Sequence, residues 1–265
     1  MTDNLVVVRG GGDLASGTVG RLVNCGFRVV VLETAQPTVI RRTVAFAQAV
    51  FDGSAEVEGQ RAVKAQSVSA CRSILGEHHI PVLVDPDCSC LSELRPLALV
   101  DAILAKRNIG TSKDMARIVV GLGPGFTAGR DVHAVVETNR GHNLGRVFYD
   151  GAAQPNTGVP GNIAGYTSER IVRSPAEGVI VTAADIGDHV TQGQELAHVA
   201  GVPVYAPLTG VLRGMIQSGI GVGAGMKIGD VDPRDKREYC YTVSEKARAI
   251  GGGVLEAIMH LRLKL

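Results

Sequence analysis

The sequence predicts an α/β protein: a parallel-sheet domain over residues 1–168, a small all-β module over 169–235 and C-terminal helices over 236–265. Three observations carry the prediction. A strand, a glycine turn, a helix and a second strand open the chain. Short apolar strands that end in polar or glycine-rich turns recur through the middle. A duplication then runs from residue 173 to residue 232.

The first element is Leu5-Val6-Val7-Val8, a β-branched run of the kind buried on both faces of a parallel sheet. Arg9-Gly10-Gly11-Gly12-Asp13 follows, then a helix through Val19, Leu22 and Val23 that stops near Gly26. Phe27–Leu32 is the second strand and closes on Glu33. The turn reads Gly10-x-Gly12-x-x-Ala15, a variant of the Rossmann dinucleotide fingerprint, so the first domain is expected to be Rossmann-like. In that fingerprint Gly10 allows the tight turn, Gly12 admits a phosphate to the backbone, and Ala15 lets helix pack on strand. The helix N-terminus adds unpaired N–H groups and a partial positive charge. Glu33 falls about twenty residues on, where a carboxylate accepts a ribose hydroxyl. The same turn can also pack with no nucleotide at all.

Arg41 and Arg42 come next, at the start of a helical pattern running to Phe51. Paired guanidinium forks beside such a crevice suit a second phosphate, and they equally suit a solvated helix start. Ile80–Val84 is a further strand, Leu97–Leu104 reads as strand or helix, and Arg117–Val120 is strand-like. Their carboxyl ends lead into Asp85, Lys106-Arg107-Asn108 and Gly121-Leu122-Gly123-Pro124-Gly125, where open parallel sheets bind ligands. Gly123 and Gly125 make that last loop an anion nest; it lacks the Gly-Lys-Ser/Thr ending of a P-loop. Asp131–Thr138 alternates as a strand carrying His133, and His142 sits at the turn beyond; each suits acid–base work or a structural hydrogen bond. Cys88 and Cys90 are spaced for a redox pair or a soft metal, but no second cluster completes a zinc signature.

The duplication pairs Pro175 with Pro207, Gly178 with Gly210, Gly187 with Gly219, Val190 with Val222, Gly193 with Gly225 and Leu196 with Ile228, all at one offset. Short strands in two related halves resemble the barrel-sandwich hybrid of lipoyl and biotinyl carrier domains. Carriers hold a modified lysine on the hairpin between the halves, and here that hairpin reads Val199-Ala200-Gly201-Val202-Pro203. No lipoyl or biotinyl lysine is therefore expected. Ser244 is placed as the N-cap of a helix, and Gly251-Gly252-Gly253 is expected to end it, because each glycine costs about 1 kcal/mol inside a helix. A second helix would then cover Val254–Leu261.

Composition sets outer limits. The 265 residues are 45% hydrophobic and 20% charged, as in an ordinary globular protein with a sizeable core. A net charge of +1 gives no footing for nucleic acid or an anionic membrane as partner. No apolar run approaches the roughly 20 residues of a bilayer span, and the first residues lack a signal peptide's basic region and cleavage site. Five scattered cysteines do not make a disulfide framework. The cytoplasm is the expected compartment.

The strings VVVRGGGDLASGTVGRL, VVLETAQPTVIRRTVAFAQAVFDG, AKRNIGT, GLGPGFTAGRDVHAVVETNRGH, KIGDVDPR and SEKARAIGGGVLEAI together resemble the YqeB-type accessory proteins of the selenium-dependent molybdenum hydroxylase system. The N-terminal turn is also distantly similar to that of XdhC-type molybdenum cofactor chaperones. The resemblance implies a maturation role, with a client molybdenum hydroxylase as partner. Joined to the reading of the turn, the arginine pair and the glycine loop, it leads to the expectation of a molybdopterin-type or nucleotide cofactor held by Gly10, Gly11, Gly12, Asp13, Glu33, Arg41, Arg42, Gly123 and Gly125. It supplies no catalytic residue. An NAD(P)-dependent oxidoreductase and a non-catalytic client-docking scaffold remain open beside it.

Overall fold

The computed structural model describes residues 4–265, which divide into two compact units rather than three consecutive segments. The first unit comprises residues up to Pro37, Ala45–Thr157 and Val243–Leu265; the second comprises Thr38–Val44 and Gly158–Thr242.

In the first unit the strands are β1 Leu5–Arg9, β2 Arg28–Glu33, β3 Ser54–Val57, β4 Gln60–Ala65, β5 Ile80–Val84, β6 Ala98–Asp101, β7 Ile118–Leu122, β8 Thr127–Ala128, β9 Ala134–Val136, β10 Val147–Phe148 and β11 Gly151–Ala152. The helices are α1 Asp13–Asn24, α2 Ala49–Asp52, α3 Val68–Gly76, α4 Leu91–Leu94 and α5 Glu245–Arg262. Nine of the strands form one sheet in the order β10-β9-β7-β6-β1-β2-β5-β4-β3. An α/β sheet is therefore present, but the expected all-parallel Rossmann-like sheet is corrected to a mixed one. β3 runs antiparallel to β4, and β10 antiparallel to β9. The β3–β4 hairpin closes through Glu58 and Gly59, with φ of 49° and 79°, the positive pair of a two-residue type I′ turn.

Alternation explains the two covered faces. Leu5 and Val7 of β1, with Val30 and Leu32 of β2, pack into a cluster with Cys71 and Leu75 of α3 and with Cys88, Cys90 and Leu94. Val6 and Val8 point the other way and are wholly buried. α1 and α5 pack on each other, and α5 also meets β7 and β9.

α5 runs unbroken through Gly251, Gly252 and Gly253, so the expected break and second helix are corrected. Packing supplies the reason. A Cβ on Gly251 would lie 2.8 Å from Gly17 O, one on Gly17 would lie 2.6 Å from Ala247 Cβ, and one on Gly253 would collide with Gly145 O. The helix penalty of glycine is offset by this close approach. The expected helix from Arg41 to Phe51 is also corrected: 3-10 turns at Arg42–Val44 and Phe46–Gln48 flank an extended Ala45, and α2 follows.

The second unit contains β12 Ile171–Arg173, β13 Gly178–Thr182, β14 His189–Val190, β15 Glu195–Val199, β16 Val202–Tyr205, β17 Gly210–Met215, β18 Gly221–Val222 and β19 Lys227–Asp232. They form two four-stranded antiparallel sheets, β12-β19-β17-β14 and β16-β15-β13-β18. The unit is not the expected self-contained lipoyl/biotinyl-like barrel-sandwich hybrid of residues 169–235. It incorporates Thr38–Val44 from far upstream and extends to Thr242. Met215 N donates to Ile40 O at 2.9 Å, Thr43 Oγ1 to Cys240 O at 2.5 Å, and Arg41 Nη2 to Tyr239 O at 2.8 Å. The expected helical segment 236–265 splits likewise: residues to Thr242 belong here, and α5 belongs to the first unit.

Among the described residues, no helix is long and apolar enough to cross a membrane.

Candidate functional site

The turn after β1 is held by the protein's own backbone. Gly10 has a φ of +98°, and its N–H donates to Leu32 O at 2.8 Å. A Cβ there would meet Ala102 O at 3.0 Å. Gly11 N–H donates to Glu33 Oε2 at 2.8 Å, and Gly11 O accepts from Ala47 N at 2.9 Å. A Cβ on Gly11 would stand 2.9 Å from that same Ala47 N. Glu33 Oε1 takes the Thr34 N–H at 2.8 Å. Glu33 thus closes the turn internally and is not poised for a ribose hydroxyl. Gly12, by contrast, is the N-cap of α1 and offers no side-chain hydrogen bond to the first-turn amides, with Asp13 directly behind it.

A buried network fixes the next loop along the sheet. Arg9 Nη1 lies 3.5 Å from Asp101 Oδ2 and donates to Thr111 Oγ1 at 3.0 Å. Thr111 Oγ1 donates in turn to Asp101 Oδ2 at 2.6 Å, and Arg9 Nη2 donates to Pro86 O at 2.8 Å. Between Asp101 and Thr111 the backbone at Leu104 and Lys106 takes φ values of 60° and 62°, a conformation that costs free energy for residues with a Cβ. Gly125 packs beneath Arg107, whose Cα would be 2.5 Å from an added Cβ, and Gly123 packs against Thr138 Oγ1. These two glycines serve close packing of neighbouring loops; Gly123 N–H is used by Val136 O at 2.8 Å.

Glu137, fully buried at the end of β9, organises the loop beyond it. Its Oε1 accepts the N–H groups of Thr138 and Asn139 at 2.7 Å each, and Oε2 accepts that of Gln154 at 2.8 Å. Arg140 pairs with Glu245 in the first turn of α5. Lys246, half-buried beside it, lies in the field of Arg140, Asp13, Glu137 and Lys106. Burial, reinforced by Arg140 and Lys106, holds its ammonium pKa below the usual lysine value of 10.5, against the pull of Asp13 and Glu137. Lys246 and Arg140 escaped the sequence reading because both are brought in by tertiary structure. The only signal was Ser244 as N-cap, whose side chain does accept from Ala247 N at 3.3 Å.

Arg41 and Arg42 are engaged inside the second unit. Arg41 Nη2 also donates to Thr242 O at 3.1 Å, while Arg42 Nε donates to Met215 O at 2.7 Å and Nη1 to Gln217 Oε1 at 3.2 Å. Their expected phosphate clamp is corrected to backbone anchoring of the Thr38–Val44 segment.

Cys88 and Cys90 sit in the core, and burial pushes the Cys88 thiol up to about 11 and the Cys90 thiol higher still. Both are protonated at neutral pH and unsuited to sulfur transfer. Among the described residues no three His, Cys, Asp or Glu side chains come together to hold a metal ion. His133 is structural: its Nδ1 accepts the Val119 N–H at 3.0 Å. Burial, with Lys113 nearby, lowers its pKa below 6.5, so the folded state binds fewer protons than the unfolded one. Stability is then constant above about pH 6.5 and declines as pH falls towards the folded value. Urea denaturation midpoints are expected to drop between pH 7.5 and 5.5, and less steeply in His133→Leu; an unchanged slope refutes this account.

No family model matches the chain. A curated Escherichia coli (strain K12) protein described as uncharacterized protein YqeB is 56% identical over 257 residues, which is 97% of this chain and 48% of that protein. The chain thus spans about half the length of the curated relative it matches, and that relative's description carries no activity. Among solved structures, an aspartoacylase family protein from Mesorhizobium loti is 12% identical with a TM-score of 0.28, covering 86% of this chain and 84% of its own. A succinylglutamate desuccinylase from Silicibacter is 11% identical with a TM-score of 0.26, covering 87% and 85%. Likeness this slight assigns no activity to the chain. The expected maturation role and its NAD(P)-dependent alternative are corrected: Glu33, Arg41 and Arg42, on which their cofactor site was built, are committed within the protein. What the sequence comparison does establish is extensive similarity to the YqeB protein over nearly the whole chain.

Proposed function

We propose that the first unit binds a phosphate-bearing small molecule at the carboxyl end of its mixed sheet. The ligand class is that of nucleotides and molybdopterin-type cofactors. The observation that carries this reading is the uncapped N-terminus of α1 at Gly12 in a unit that also sets the half-buried ammonium of Lys246 in the field of Asp13, Arg140 and Lys106. Helix N-terminal amides and a positive end-dipole favour a phosphate there, and a partly desolvated ammonium strengthens the attraction. The turn contributes Gly12 and Asp13 to the site, while Gly10, Gly11 and Glu33 shape it from behind.

Calorimetric titration with ADP and with inorganic pyrophosphate tests the proposal. Saturable binding is expected, weakened about tenfold or more in Lys246→Ala. Because only the protonated amine attracts the anion, affinity should fall as pH rises, beginning below the usual lysine range. Absence of saturable binding, or an affinity indifferent to Lys246→Ala, overturns it.

A further inference from the structure

We draw no further inference here: the strongest candidate, the outer face of the β16-β15-β13-β18 sheet where Val179, Val181 and Tyr205 are exposed, is an unpartnered apolar face, and nothing in the structure shows what covers it.

Discussion

Gly251→Val is expected to destabilise the protein by about 3 kcal/mol or more, the upper range for overpacking, because neither neighbour can move aside. The obstructing atoms are Gly17 O and Thr18 Cα, which are backbone of α1. A side chain at 251 must therefore pry two helices apart, and with them the contacts of Ala247, Ile250 and Val254, each fully buried. Gly252 is the internal control. Nothing lies within 4 Å of a Cβ built there, so Gly252→Ala should stabilise by about 0.5–1 kcal/mol through helix propensity and a stiffer unfolded chain. Urea denaturation of the two variants decides the matter. Opposite signs support glycine as a packing residue at 251; equal effects of the same sign would show that helix propensity alone governs both positions.

The second large effect belongs to Asp101→Ala, expected to cost about 3–5 kcal/mol, as when one partner of a buried ion pair is removed. Arg9 is 8% exposed and Asp101 1% exposed, so truncation strands a guanidinium in the interior of the sheet. Thr111 Oγ1 and Ile103 N also lose their acceptor. The double variant Arg9→Leu/Asp101→Ala should recover part of that loss, since no charge is then left buried. A double-mutant cycle isolates the coupling. Strict additivity of the two single substitutions would show that Arg9 and Asp101 do not act as a pair.

Much of the first unit was legible because its signals are local. The β-branched runs at Leu5–Val8 and Phe27–Leu32 are strands, and Gly10 does take the positive φ that its turn requires. The β3–β4 hairpin carries a local sign of its own, a two-residue loop ending in glycine at Glu58-Gly59. Helix continuity at Gly251–Gly253 is not legible in this way: propensity is a local cost, whereas the approach of Gly17 and Gly145 is tertiary. The site divided in the same way. Gly12 and Asp13 follow from the motif. The occupation of Glu33 by Gly11, the anchoring of Arg41 and Arg42, and the recruitment of Lys246 all depend on residues distant in sequence, which no spacing rule reports.

The pairing of α1 with α5 also has a meaning in time. Gly17 and Ala247 meet in the finished protein, yet 247 − 17 = 230 residues separate them along the chain. At roughly 5–20 residues per second, a ribosome needs on the order of 10–50 s after making α1 to deliver its partner. Throughout that interval the apolar side of α1 that α5 will cover has no native cover, while the whole second unit is being made. α5, made after every other element of the first unit, is thus the step that completes that unit. A nascent chain stalled before residue 243 should carry an exposed α1 surface that chaperones recognise, however well its later-made second unit has folded.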